Sequence, residues 1–167
     1  MDIVFHGLTG IVLSKALGGD TLLAAGFATL ADTLGSSPFY AFAAKKAAKG
    51  GAKNFAKRFM ALSKQEIYFG KWDELSYKVT HTWFILLPVG ALAYFVEPKH
   101  WYALVLCYFI HLVVDVFTHE GEFAAQPFWP ISTKQIGGSY WVTNKRLFMS
   151  FWLVLIALLS TQILAGA

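Results

Sequence analysis

Three apolar blocks, Val79–Val96, Trp101–Thr118 and Leu147–Leu164, dominate the second half of the chain, each long enough to cross or nearly cross a bilayer core of ~30 Å. A fourth block, Ile3–Leu34, is interrupted by Gly18-Gly19-Asp20 and reads as two shorter helices, Ile3–Leu17 and Thr21–Leu34, joined by a tight turn. Composition agrees: 56% of the 167 residues are hydrophobic and 14% charged, where a soluble domain carries about a quarter charged residues. The expected fold is all-α, a polytopic membrane helical bundle with about five transmembrane or membrane-embedded helices. One domain, 1–167, accommodates the whole chain, with a basic cytoplasmic loop at about 40–78.

The start, MDIVFHGLTG, lacks a basic n-region and a small-residue cleavage site, and His6 interrupts the apolar run; it is expected to stay in the mature protein. The lone Cys107 lies in an apolar helix and cannot make an internal disulfide; it reads as a small buried residue.

A pI near 9.2 would suit a nucleic-acid binder, but the positive charge is localised and no nucleic-acid partner is expected. Lys45, Lys46, Lys49, Lys53, Lys57, Arg58, Lys64, Lys71 and Lys78 fall in one polar stretch, and Lys134, Lys145 and Arg146 in a second loop. The positive-inside rule puts both loops in the cytoplasm and the C-terminus outside. His6, Asp32, His81, Asp115 and His119 then lie in the cytoplasmic half of the membrane, with His111 about a turn deeper. Residues at such similar depths can converge on one pocket.

Ionisable groups are costly in a membrane and functional by default, Asp115 above all. His111, Asp115 and His119 follow at steps of four, drifting only about 40° per step, so they share one helix face over ~12 Å. That span is long for one ion, which makes His111, the deepest, the weakest member and leaves open whether two metals bind. Taken singly, His6 and His81 also read as packing residues, and Asp32, in Asp-Thr-Leu-Gly-Ser-Ser-Pro, also reads as helix-end turn chemistry. Thr80 and Thr118 each precede a candidate ligand and can orient an imidazole or simply cap a helix. Imidazole with carboxylate suits a divalent metal: zinc first, with manganese or iron as alternatives. Such an ion generates a hydroxide nucleophile near neutral pH, and hydrolysis is the economical expectation.

The strings YKVTHTW (Tyr77–Trp83), HLVVDVFTHEGEFAAQPFWPIS (His111–Ser132) and IGGSYW (Ile136–Trp141), with the early His6, resemble the YdjM-like membrane-bound metal-dependent hydrolases of bacteria. Members of that group typically carry an early His, Thr-His-Ser before an apolar helix, His-x-x-x-Asp-x-x-Thr-His, and a Pro-Phe-x-Trp-Pro segment. The group is itself distantly similar to zinc-dependent phospholipase C and the P1-type nucleases. The resemblance implies phosphoester hydrolysis at one to three ions in a bacterial cytoplasmic membrane, with His6, His81, His111, Asp115 and His119 as ligands. Many relatives have Pro-Asp-x-Asp-His at the end of the second helix, where this chain has Leu-Ala-Asp-Thr-Leu-Gly. Asp32 alone survives there, as ligand or base, and it is the candidate catalytic residue together with Asp115. Thr82 replaces the usual Ser after His81.

Phe39–Leu62 reads either as a basic amphipathic helix on an anionic leaflet, concentrating anionic lipid near the site, or as a charge run that only sets topology. Trp129 and Trp141 belong to an aromatic loop after His119, placed as lid or lipid contact, and Lys134, Lys145 and Arg146 are the candidate phosphate contacts. The expected function is cleavage of a phosphoester in a phospholipid or lipid-linked phosphate at the cytoplasmic leaflet. The main alternative is non-enzymatic metal or proton handling, in transport or sensing. A b-type haem protein is a second, which Asp115 argues against.

Overall fold

The turn at Gly18–Asp20 joins the first two helices, α1 (Ile3–Leu17) and α2 (Thr21–Gly35), as expected, and the Asp20 carboxylate caps α2 by accepting from the Leu23 N–H at 2.8 Å. The computed structural model describes residues 3–49, 51, 54–63, 71–121, 124–139 and 143–166. After α2 come α3 (Ser37–Ala48), α4 (Phe55–Ser63), α5 (Lys71–Thr80), α6 (Leu86–Val96), α7 (Trp101–Thr118) and α8 (Lys145–Leu164). A single 3-10 turn, Trp83–Ile85, precedes α6. The fold is all-α: among the described residues there is no strand, only an isolated antiparallel bridge between Ala125 and Ile136.

The packing centres on α7, which touches α1, α2 and α6. Between apolar helices close approach matters more than water exclusion, and it needs small side chains. The sequence supplies them on α2: Ala24, Ala28 and Ala31 share one helix face and are all but fully buried. Leu104, Cys107, Tyr108 and Leu112 of α7 fill the space against them, with Val89 and Ala93 of α6 behind. A second cluster joins Phe5 and Val12 of α1 to Val114 of α7 and Leu155 of α8.

Among the described residues two helices, α7 and α8, are long and apolar enough to cross a membrane, and α5 with the segment from Trp83 to Val96 would make a third if that bent pair is one span. α7 and α8 face different surroundings: half of α7's apolar window is buried inside the fold, against 6% for α8. A helix so apolar and so exposed matches a lipid-facing span. Apart from its packing on α1, α8 is tied there by the Gln162 amide, which donates to the Val12 carbonyl at 2.8 Å.

The block Val79–Val96 is not the single helix that its hydropathy predicts. It breaks at His81–Thr82, and α5 and the segment from Trp83 to Val96 meet at a bend of 65°. Thr82 is extended (φ −88°, ψ 151°), and its hydroxyl donates to the carbonyls of Pro127 at 3.0 Å and Trp129 at 2.6 Å. The Trp83 N–H donates to the same Pro127 carbonyl at 2.9 Å. A remote loop thus takes over the hydrogen bonds that a continuous helix would have made.

The basic stretch forms two helices, α3 and α4, that pack on each other rather than one long amphipathic helix. On α3, Ala43 and Ala47 turn inward while Tyr40 and Phe42 are exposed, with the Lys46 ammonium 5.8 Å from the Phe42 ring centre.

Candidate metal centre

α1, α2, the α5–α6 break and α7 deliver side chains to a common point. His6 comes from α1, Asp32 from the last turn of α2, His81 from the α5–α6 break, and His111 and Asp115 from α7, with His119 at its C-cap. The break is what lets His81 reach inward, and two contacts hold it against α2. Gly35 is one: a Cβ there would lie 2.9 Å from Thr80 Oγ1 and 3.3 Å from His81 Cε1, so only glycine admits the chain so closely. The Ser76 hydroxyl, donating to the Leu34 carbonyl at 2.8 Å, is the other.

The imidazoles are oriented by their far nitrogens. His111 Nδ1 lies 2.7 Å from the Ala28 carbonyl and His81 Nδ1 lies 3.0 Å from the Tyr77 carbonyl. A carbonyl only accepts, so Nδ1 carries the proton in each neutral ring, and Nε2 presents a lone pair to the cluster. Tyr77 stacks on His81 with ring centres 4.0 Å apart, and the buried Tyr108 hydroxyl donates to the Thr80 carbonyl at 2.7 Å. The break is therefore fixed on both sides.

Asp32, His81, His111 and Asp115 lie close enough to hold a metal ion, one ligand atom from each falling within 4.8 Å of the others. Nε2 of His81 and of His111 stand 3.3 and 3.2 Å from Asp115 Oδ2, each 3.7 Å from Asp32 Oδ1, and 3.5 Å from one another. Neutral rings and carboxylates here turn lone pairs toward lone pairs, an arrangement that a cation relieves. Atoms ~2.1 Å from a common ion stand roughly 3.0–3.4 Å apart in octahedral or tetrahedral geometry. The spacings of 3.2–3.5 Å among His81, His111 and Asp115 fit that frame closely, and Asp32, at 3.7 Å from both imidazoles, has to move inward to join it.

Asp115 divides its two oxygens. Oδ2 faces His81 and His111, while Oδ1 lies 3.3 Å from His6 Nε2 and 3.3 Å from His119 Nδ1. The rings of His6 and His111 are stacked with a tilt, centres 3.8 Å apart. His6, His81, His111 and Asp115 are buried, whereas the Asp32 side chain is 26% exposed, so the cluster opens on the Asp32 side. The expectation that His111 is the weakest member is reversed here. The ~12 Å rise separates backbone positions, but the His111 and Asp115 side chains bridge one turn to meet at 3.2 Å. His6 and His119 stand outside the four-residue group; His119 Nδ1 lies 3.3 Å from Asp115 Oδ1 and equally 3.3 Å from the Asp115 carbonyl and the Thr118 hydroxyl.

A pocket of about 320 Å³ adjoins His81, lined by Glu74, Tyr77, Lys78, Ala124, Gln126 and Gln135. Its outer wall, the loop 124–139, returns across the end of α7: Gly138 N–H donates to the His119 carbonyl at 2.9 Å and Ser139 N–H to the Phe117 carbonyl at 3.0 Å. A Cβ on Gly138 would fall 2.0 Å from the Phe117 oxygen, so this crossing also requires glycine.

The residues expected to contact substrate are placed differently. Lys134 is exposed on the loop, and Trp129 is half-buried there. Lys145 and Arg146 line a separate shallow depression at the start of α8, with Glu120 and Asn144. Trp141 lies outside the described residues. The cation at the pocket beside His81 is Lys78, which sequence reasoning counted only as a topology signal. The spacing Glu74, Lys78, His81, one helical face of α5, was the signal that could have found it.

Comparison of the chain with protein-family models, curated proteins and solved structures gave no match.

Proposed function

We propose that this protein is a membrane-embedded, metal-dependent hydrolase of the YdjM-like kind that cleaves a phosphoester, in a phospholipid or lipid-linked phosphate, at the cytoplasmic leaflet. The observation that carries the reading is the division of Asp115 between two imidazole pairs, at 3.2–3.3 Å throughout. One carboxylate bridging two donor sets is the arrangement of a two-ion hydrolytic centre. Zinc suits the donors best; manganese and iron are the other choices. Asp32, His81, His111 and Asp115 Oδ2 would hold one ion; His6 and His119, outside that group, would complete a second site on Asp115 Oδ1 once the His119 Nδ1 gives up its contact with the Asp115 carbonyl. Bound there, such ions supply Lewis acidity and lower the pKa of a water ligand toward neutrality.

The chain's own residues do the rest. Asp32, the one partly exposed carboxylate of the group, can accept the proton that an attacking water gives up. His81 and His111 are held rigid through their Nδ1 bonds, so the donor set needs little rearrangement. The surrounding helices exclude bulk water from the buried side. All four apolar blocks are membrane-embedded in this reading: α1 and α2, the two halves of the first, at 15 residues each, are ~22 Å long and cross only part of the core. Basic α3 and α4 then lie against the cytoplasmic leaflet, and the C-terminus is outside.

Transport is the weaker reading, because among the described residues the buried side chains beyond the cluster are nearly all apolar, Leu104, Cys107, Ala24 and Ala93, with Ser14 as a lone polar group. The test is a panel of phosphodiester and phospholipid substrates with added Zn²⁺ or Mn²⁺, using purified protein and Asp115→Asn. Turnover abolished by the substitution supports the reading, and no metal-dependent turnover on any phosphoester counts against it.

A further inference from the structure

We infer that the pocket beside His81 receives the phosphate-bearing polar end of the substrate, and that Lys78, paired with Glu74 in this structure, is the cation that contacts it. The inference rests on the phosphoester reading above.

Lys78, in the last turn of α5, and His81, just past its end, line the same pocket. The Lys78 ammonium lies 2.6 Å from Glu74 Oε1, with side-chain exposures of 24% for the lysine and 57% for the glutamate. The lysine is thus the inner partner and the glutamate the outer one. An exposed pair of this kind is weakly held, and a phosphate group competes with Glu74 for the ammonium through charge-assisted hydrogen bonds. The opposite wall adds two amides, Gln126 and Gln135, and Gln126 Oε1 is buried with no hydrogen-bond partner among the described residues. A buried acceptor of this sort pairs with a donor elsewhere on the polar end and not with the oxygens of an ionised phosphodiester, which only accept. Ala124 is the only aliphatic side chain in the lining, so a polar group fits and an acyl chain does not. Lys134, Lys145 and Arg146 do not line this pocket.

The test is calorimetric titration of inorganic phosphate into metal-loaded, full-length protein in detergent. Lys78→Gln should weaken phosphate binding about tenfold or more, and Glu74→Gln should tighten it, because the competing carboxylate is gone. Lys134→Gln should leave it unchanged, and metal content should match the wild type in all three. If Lys78→Gln lost metal through misfolding, Glu74→Gln would decide alone. Wild-type affinity in Lys78→Gln, or no tightening in Glu74→Gln, overturns the assignment and leaves the phosphoester reading standing. Failure of phosphate to bind the metal-loaded wild type overturns both.

Discussion

His111 and Asp115 meet across one turn of α7 at 3.2 Å, while the other nitrogen of His111 is tied to the Ala28 carbonyl at 2.7 Å. The ring is thereby fixed between the backbone of one helix and a carboxylate of another. Its Nε2 has nowhere to turn except into the cluster. His111→Ala should therefore cost as much metal affinity as His81→Ala, on the order of 100-fold or more for loss of a ligand. Competition with a chromogenic chelator measures both, and an unaffected His111→Ala would remove this residue from the ligand set.

The division of Asp115 predicts unequal losses. His6→Ala and His119→Ala should each release the ion facing Oδ1 while the ion facing Oδ2 stays, halving the metal content. Asp115→Ala should release both. A single ion per wild-type chain, unchanged by His6→Ala, would leave the Oδ1 side as packing.

How much of this was legible in sequence follows from range. The spacing of His111, Asp115 and His119 marked one face of α7, and the bounds of that helix match its apolar block, Trp101–Thr118, because both signals are local. The break at His81 was not legible, since the carbonyls that hold Thr82 open belong to Pro127 and Trp129, 45 and 47 residues away. Hydropathy reports only what a segment avoids, not what bends it. Lys78 was hidden for a related reason: in sequence it is one more charge in a basic stretch, and only folding places it beside His81. The weakness assigned to His111 came from measuring along the backbone, when side chains of this length close one helical turn.

Support around the break should be measurable as stability. Tyr108→Phe removes the donor to the buried Thr80 carbonyl, and leaving that acceptor without its partner should cost about 1–3 kcal/mol. Reversible unfolding in mixed detergent reads the change, and a loss near zero would mean that the break is held by the Pro127 and Trp129 contacts alone.

The crossing of the loop over α7 predicts a local effect. In Gly138→Ala the new methyl group collides with the Phe117 carbonyl, so the 124–139 wall should lift while the helices stay packed. Limited proteolysis should find faster cleavage in that loop with little change in helix content. Equal cleavage rates would show that the backbone absorbs the collision.

Metal retention should also fall in acid, since imidazole and carboxylate ligands must lose their protons to bind and acid returns them. Dialysis at stepwise lower pH should release the ions reversibly, and retention down to the pH of unfolding would contradict coordination by these side chains.

The central claim is that the side chains gathered around Asp115 form a metal centre. Metal analysis by mass spectrometry of detergent-purified protein, reconstituted with Zn²⁺ or Mn²⁺ and compared with Asp115→Ala and His81→Ala, tests it most directly. The wild type should hold at least one ion per chain, with Asp115→Ala losing all of it and His81→Ala losing the ion facing Oδ2. A wild type without stoichiometric metal, or variants that keep all of theirs, would contradict the claim.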